Sequence, residues 1–463
     1  VNYAALLMGK VPVNLNYTAS NEVIASCVNQ CGLKTVISSQ AFLERIQTRP
    51  PMEPKLLEDI ATNPRLSERL LSLLLSFMPA RWIEKSVGAK RRTTLDDTAT
   101  IIFSSGSTGD PKGVVLTHYN IAANAEQLNQ VFLLSGRQKI LGILPFFHSF
   151  GFTGTLALPA LAGIGAVFHP NPLDSRVIGG LVRNYNITML LATPTFLQAY
   201  MRRCSPEEFG SLQYVVAGAE KLPERLALAF EDHFGIRPME GYGCTECSPV
   251  VAVNTPGFRA ADFRQVGAKR GSIGHPLPGM SIRIVDPETK QPVKPGEPGL
   301  LLVRGPNVMQ GYLNRPEKTA EVLHDGWYNT GDMAMVDEDG FLRITDRLSR
   351  FSKIGGEMVP HIKVEDKLHE LAELTEQRFA VTAVPDEKKG ERLIVLHTLP
   401  DEHLNPVLER LARCDLPALW KPRPDQFVRV EQLPYLGTGK LDLRRLKEMA
   451  LENVSAAGAG AHN

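Results

Sequence analysis

Between Ala99 and Gly271, short runs of apolar and β-branched residues alternate with stretches whose apolar positions recur every three to four residues. Thr100-Ile-Ile-Phe103 and Tyr214-Val-Val-Ala217 read as buried strands, and Ile121 to Leu134 and Pro223 to Phe234 read as amphipathic helices. This alternation predicts an α/β fold, a large N-terminal domain of mainly parallel sheets flanked by helices. After Gly271 the pattern changes to strands punctuated by Gly and Pro: Ser281 to Val285, Gly299 to Arg304 and Phe341 to Thr345. A small antiparallel β subdomain is therefore expected over 272–345, closing a large domain of 1–345. The polar stretch 346–356 reads as a hinge region, 357–452 as a small α+β C-terminal domain, and the Ala/Gly-rich tail 453–463 as disordered.

Two apolar stretches raise the question of a membrane. Leu141 to Phe168 is uncharged, but Pro145, Pro159 and five glycines interrupt it, so a buried strand, loop and helix inside an enzyme core is expected. Arg65 to Arg92 carries seven basic residues (65, 69, 81, 85, 90, 91, 92) against Glu68 and Glu84. Leu66, Leu70, Leu74 and Phe77 recur at helical spacing there, with Ser72 and Ser76 on the other side and Trp82 at the edge. This segment fits either peripheral contact with an anionic membrane or a helix packed on its own domain.

Composition narrows the function classes. Across 463 residues, 43% are hydrophobic and 22% charged, a globular balance that excludes disorder and fibrous architecture. Lys plus Arg (51) against Asp plus Glu (50) gives a formal charge of +1, which excludes a strongly basic nucleic-acid coat, and no nucleic-acid partner is expected. Six irregularly spaced cysteines make no disulfide framework, and the single CxxC, Cys244 and Cys247, lacks a second pair for zinc. Reduced thiols and a cytoplasmic location follow.

Candidate chemistry centres on Ile101-Ile-Phe-Ser-Ser-Gly-Ser-Thr-Gly-Asp-Pro-Lys-Gly-Val-Val115. A strand enters a loop bearing Ser104, Ser105, Gly106, Ser107, Thr108, Gly109 and Lys112. Glycines let backbone N–H groups converge on an anion, hydroxyls add donors, and the lysine supplies charge, so the loop reads as a polyphosphate cradle. Its order differs from GxxxxGK[ST], which disfavours a P-loop nucleotidase.

This loop resembles the signature of the adenylate-forming superfamily, which includes acyl-CoA synthetases, luciferases and peptide-synthetase adenylation domains. The likeness runs in order from Gly9 to Leu446. Leu144-Pro-Phe-Phe-His-Ser-Phe-Gly151 resembles the acyl-pocket motif, which implies that His148 faces the substrate carboxylate; read alone, His148 would be an ordinary core histidine. Val216-Ala-Gly-Ala-Glu-Lys-Leu-Pro223 resembles the adenine-side turn (Gly218, Ala219, Glu220). Gly241-Tyr-Gly-Cys-Thr-Glu246 resembles the adenine and magnesium motif. The implied roles are Tyr242 stacking on adenine between Gly241 and Gly243, Thr245 on phosphate, and Glu246 as the Mg²⁺ ligand. Trp327-Tyr-Asn-Thr-Gly-Asp332 resembles the ribose motif, with Arg347 adding a second contact. Lys353-Ile-Gly-Gly-Glu-Met-Val359 resembles the small-domain loop, whose Gly355 and Gly356 would line the pantetheine channel. Leu436-Gly-Thr-Gly-Lys440 resembles the closing motif, with Lys440 catalytic in adenylation. Ser349 stands where a hinge Asp or Lys is usual, and the chain opens near the family's second motif, so an earlier part of the large domain is expected upstream.

Together with the 65–92 segment, the wording Phe351-Ser-Lys-Ile-Gly-Gly-Glu-Met-Val-Pro-His361 is most similar to the acyl-acyl-carrier-protein synthetase part of bifunctional 2-acylglycerophosphoethanolamine acyltransferases. That resemblance implies ATP- and Mg²⁺-dependent activation of a fatty acid to acyl-adenylate. The acyl group then passes to a phosphopantetheine thiol of acyl carrier protein (ACP) or coenzyme A (CoA) and feeds lysophospholipid acylation, at the cytoplasmic face of the membrane. A short- or medium-chain acid–CoA ligase and a non-catalytic nucleotide-binding scaffold remain the alternatives.

Overall fold

The computed structural model describes residues 1–46, 48–61, 64–89, 91–104, 111–347, 350–355, 357–374, 376–386, 389–435 and 441–459. Five parallel strands form the centre of the large domain, in the spatial order Gly165–Phe168, Lys139–Gly142, Met189–Ala192, Tyr214–Ala217, Met239–Gly243. Val250–Val253 and His275–Pro276 extend the sheet antiparallel at one edge. All four residues of Met189–Ala192 are buried, the continuous apolar run expected of a strand covered on both faces.

Helices Ser175–Tyr185 and Glu224–Phe234 end at Asn186 and Gly235, both in the left-handed region that terminates helices. They bury Ile178, Val182, Leu226 and Phe230 against the sheet. Each such side chain removed from water is worth roughly 1.5–3 kcal/mol. Phe209 stacks on Phe234 with ring centroids 4.6 Å apart, closing the core on that side.

The phosphate-loop strand departs from the expected parallel arrangement. Thr98–Ser104 pairs antiparallel with Lys112–Thr117, and Gly311–Tyr312 adds a third strand, so the strands that flank the candidate phosphate loop are antiparallel, with Ser104 opposite Lys112. A two-residue period reports a strand but not the direction of its partner, which is why the sequence did not show this. The expected antiparallel subdomain is a five-stranded sheet of Ser281–Val285, Gly299–Arg304, Trp327–Val336, Leu323–His324 and Leu342–Arg347.

The small domain is built on Glu357–Pro360, Phe351–Ile354, Gly390–His397 and Phe379–Asp386, with Phe427–Arg429 beside Gly390–His397 and helices His361–Leu371, Asp401–Arg413 and Leu443–Ala459. Two expectations are corrected here. Phe351–Ile354, read from its polarity as part of a linker, is a strand paired with Glu357–Pro360. The tail is helical through Ala459, because alanine is the strongest helix former and extends the helix begun at Leu443. Lys221 pairs with Asp366, and Arg202 with Glu376, across the two domains. Exposed pairs of this kind contribute little each, which suits a domain held loosely.

The helices Leu66–Ser76 and Ala80–Ser86 contain no buried residue, with Leu75, Ile83 and Glu84 half-buried, so little of either helix packs on the domain. Among the described residues, no helix is long and apolar enough to cross a membrane.

Glu240, in the strand Met239–Gly243, accepts the Leu222 N–H at 3.0 Å. Burial pushes its carboxyl up to about 7 from the ordinary 4.5. The folded chain therefore holds a proton that the unfolded chain gives up, so stability is full below the unfolded value and falls as pH rises through 7. Glu240→Gln, which keeps the acceptor, should stabilise the fold at pH 8 by up to about 3 kcal/mol and bring no gain at pH 4.5, read from urea midpoints at the two pH values.

Candidate active site

In an open α/β sheet, ligands gather beyond the carboxyl ends of the parallel strands. Three of those ends carry the motif residues. Lys139–Gly142 leads to His148, Tyr214–Ala217 leads to Gly218, Ala219 and Glu220, and Met239–Gly243 holds Gly241, Tyr242 and Gly243 before Thr245 and Glu246.

At the second of these ends the backbone comes close to an aromatic ring. A Cβ on Gly218 would lie 3.2 Å from the Phe150 ring, tighter than ordinary van der Waals contact. Ala219 beside it holds φ at 70°, a left-handed conformation that costs an L-residue about 1–2 kcal/mol. Strain of this kind persists only where surrounding contacts impose it. Thr195 donates to the Glu220 carboxylate at 3.0 Å, fixing the turn from the first turn of the helix Pro194–Met201. At Gly243 a Cβ would meet the Pro249 carbonyl oxygen at 2.0 Å, so only glycine fits that hairpin.

The Tyr242 hydroxyl donates to a carboxylate oxygen of Asp332, which is buried in Trp327–Val336. This contact ties the parallel sheet to the antiparallel one. Burial first, and the Asp332 charge second, push the Tyr242 phenol well up, so it stays protonated and donates. Tyr242 and Asp332, assigned by resemblance to adenine and ribose, thus lie against each other. Asp332 also sits opposite Arg347 in strand register.

A second chain of contacts joins the hairpin to the Thr245–Glu246 turn. The Lys112 ammonium lies 5.0 Å from the centroid of the Tyr312 ring. The Tyr312 hydroxyl donates to Oε1 of Glu246 at 2.9 Å. Burial and the Glu246 carboxylate both raise the Tyr312 phenol. The Met309 N–H donates to the Glu246 carbonyl at 2.7 Å, which holds the turn in place. Tyr312 was missed from the sequence. Glu246 is far from it along the chain, and only the third strand of the hairpin sheet brings the two together.

Ser149, at the start of the helix after His148, donates to the Thr245 hydroxyl at 3.4 Å, which sets the His148 segment beside the Thr245 turn. Half-buried His148 packs on Phe147 with ring centroids 4.6 Å apart, and Phe147 meets Tyr17 edge-on. In the small domain, Gly355 takes φ of 59° in the hairpin between Phe351–Ile354 and Glu357–Pro360. Burial and the nearby Glu220 carboxylate raise the Tyr435 phenol. The residue that precedes the closing motif therefore lies within electrostatic reach of the adenine-side turn.

Several expected site residues lie outside the described residues: Ser105, Gly106, Ser107, Thr108 and Gly109 of the phosphate loop, Ser349, Gly356 and Lys440, as well as the Arg347 side chain.

A family profile described as "AMP-binding enzyme" matches residues 1–313. A long-chain-fatty-acid–CoA ligase of Bacillus subtilis (strain 168) is 34% identical over 365 residues, covering 77% of this chain and 62% of that protein. The chain therefore spans about three-fifths of that relative's length. A feruloyl-CoA synthase of an Amycolatopsis species is 34% identical over 351 residues, 75% of this chain and 69% of that protein. Among solved structures, the o-succinylbenzoate CoA synthetase of Bacillus subtilis with its acyl-adenylate intermediate superposes with a TM-score of 0.75 at 24% identity, covering 96% of this chain and 84% of that one. An anthranilate CoA ligase complexed with anthranoyl-AMP gives a TM-score of 0.76 at 22% identity, covering 97% and 84%. At those identities the structural likeness speaks to the fold. The fold, the arrangement of motifs at the strand ends and the match over 1–313 together place this chain in the AMP-binding enzyme family, within the adenylate-forming superfamily.

Proposed function

We propose that the chain activates a fatty acid with ATP, forming acyl-adenylate and pyrophosphate, and then transfers the acyl group to a pantetheine thiol. The observation that carries this reading is the meeting of Tyr242 with Asp332, and of Lys112 with Tyr312 and Glu246, at the carboxyl ends of the parallel strands. It supplies an aromatic face and a carboxylate for a nucleoside next to a cation and a second carboxylate for its phosphates. Relatives named as long-chain-fatty-acid–CoA ligases support the acid and the thiol.

In the first half-reaction a carboxylate oxygen attacks the α-phosphorus and the bond to pyrophosphate breaks. Negative charge grows on the phosphoryl oxygens, where Lys112, the phosphate-loop amides and Lys440 would stabilise it. The substrate is the magnesium complex of ATP. Glu246 fits that cation as one hard oxygen ligand, the others coming from phosphate and water. Among the described residues, no group of three or more His, Cys, Asp or Glu could hold a metal ion without such help. Thr245 would contact phosphate, with His148 orienting the carboxylate from the adjoining turn. In the second half-reaction the thiol sulfur attacks the acyl carbon, its proton is lost to solvent, and AMP leaves. The Gly355–Gly356 hairpin would line the thiol's path.

The resemblance in 351–361 extends the reading to ACP as an acceptor beside CoA, with the product used in lysophospholipid acylation by a different domain. Fatty-acid-dependent pyrophosphate exchange tests the core of the proposal. Exchange that rises with acyl chain length to about C16 supports it, and exchange with short acids alone contradicts it. Acyl transfer from preformed adenylate to ACP or to CoA then separates the two acceptors.

Tyr312→Phe keeps the ring over Lys112 and removes one hydrogen bond to a charged group, worth about 1.5–3 kcal/mol. Exchange should fall roughly ten- to a hundredfold with the fold retained by circular dichroism. Lys440→Ala should cost on the order of a hundredfold to a thousandfold in adenylate formation while sparing thioester formation from supplied acyl-adenylate. Equal losses in both half-reactions would count against domain alternation.

A further inference from the structure

We propose that the helices Leu66–Ser76 and Ala80–Ser86 form a surface anchor that lays its apolar side into an anionic lipid bilayer. The other eleven-residue helices of the large domain bury part of their apolar stripe, as Ser175–Tyr185 does with Ile178 and Val182. Neither helix of this pair holds a fully buried residue, and of their apolar side chains only Leu75 and Ile83 are half-buried. Leu70 and Leu74 are 54% and 61% exposed, Phe77 is 80% exposed and Trp82 is 59% exposed.

Leu66, Leu70, Leu73, Leu74 and Phe77 form one stripe of the first helix, with Arg69, Ser76 and Ser72 along one flank and Leu71 and Leu75 behind. Eleven residues rise only about 16 Å, too short to cross a bilayer but suited to lying in its interface. Trp82 supplies the amphipathic ring favoured at that depth.

Charge selects the occupant. The segment holds seven basic residues against two acidic ones, so a second copy docking here would bring like charges together, whereas an anionic headgroup layer complements them. Arg91 pairs with Asp97 and is tied to the domain, which leaves Arg69, Arg81 and Lys85 on the helices themselves as the cations to test. This inference does not depend on the adenylation reading, because its readout is binding.

The test is co-sedimentation of the purified chain with phosphatidylglycerol–phosphatidylethanolamine vesicles and with pure phosphatidylcholine vesicles, at low and high salt. The parent chain should bind the anionic vesicles, prefer them to phosphatidylcholine and be released by salt. Leu70→Ser, Leu74→Ser and Phe77→Ser combined should lower the partition on the order of a hundredfold. Arg69→Glu, Arg81→Glu and Lys85→Glu combined should lower it about as much and abolish the lipid preference. These positions are exposed, so thermal melting should match the parent. The proposal is overturned if the parent binds neither vesicle or binds both equally, or if neither combined variant weakens binding. A parent dimer that the serine variant converts to monomer, with no vesicle binding, would assign the face to a second copy instead.

Discussion

A buried carboxylate must find hydrogen-bond donors, and Glu246 organises the site through that requirement. Its nearest answer is the Tyr312 hydroxyl, delivered by the third strand of the hairpin sheet, and Tyr312 in turn carries its ring beneath Lys112. Losing the strand Gly311–Tyr312 would therefore separate the phosphate-loop lysine from the Thr245–Glu246 turn. Asp332 repeats the principle with Tyr242, and that pair fastens the antiparallel sheet to the parallel one. Two tyrosines held protonated by burial thus join three sheets at one place.

The same place is where the parallel strands end, and close backbone approaches shape it. Gly218 admits the Phe150 ring, and Gly243 admits the Pro249 carbonyl. The small domain approaches this face through exposed ion pairs, Lys221 with Asp366 and Arg202 with Glu376. Strand ends that face a domain joined to them by exposed ion pairs suit the two half-reactions proposed above, in which one surface of the small domain would leave before another enters.

Much of this was legible in the sequence. The parallel strands announced themselves as apolar runs such as Tyr214–Ala217, and the antiparallel subdomain as short strands between Gly and Pro. The site motifs were visible because glycines and hydroxyls stand out from their surroundings. The hairpin direction of Thr98–Ser104 was not legible, since periodicity carries no information on partner orientation. Tyr312 was hidden because a lone tyrosine after glycine carries no local signal, and its meaning lies in a contact made across the fold. The strand Phe351–Ile354 was masked by its polar neighbours, and the helical tail by an Ala/Gly composition that suits helix and disorder alike.

The central claim is that these strand ends form one nucleotide cleft. A crystal structure of the chain with a non-hydrolysable fatty acyl-adenylate analogue addresses it directly. The account predicts adenine against Gly218 and Tyr242, both ribose hydroxyls on Asp332, the phosphate mimic between Lys112 and Thr245, and the acyl chain leaving past His148. An analogue bound away from the Tyr242–Asp332 contact, or one whose phosphate mimic faces neither Lys112 nor Thr245, would contradict it.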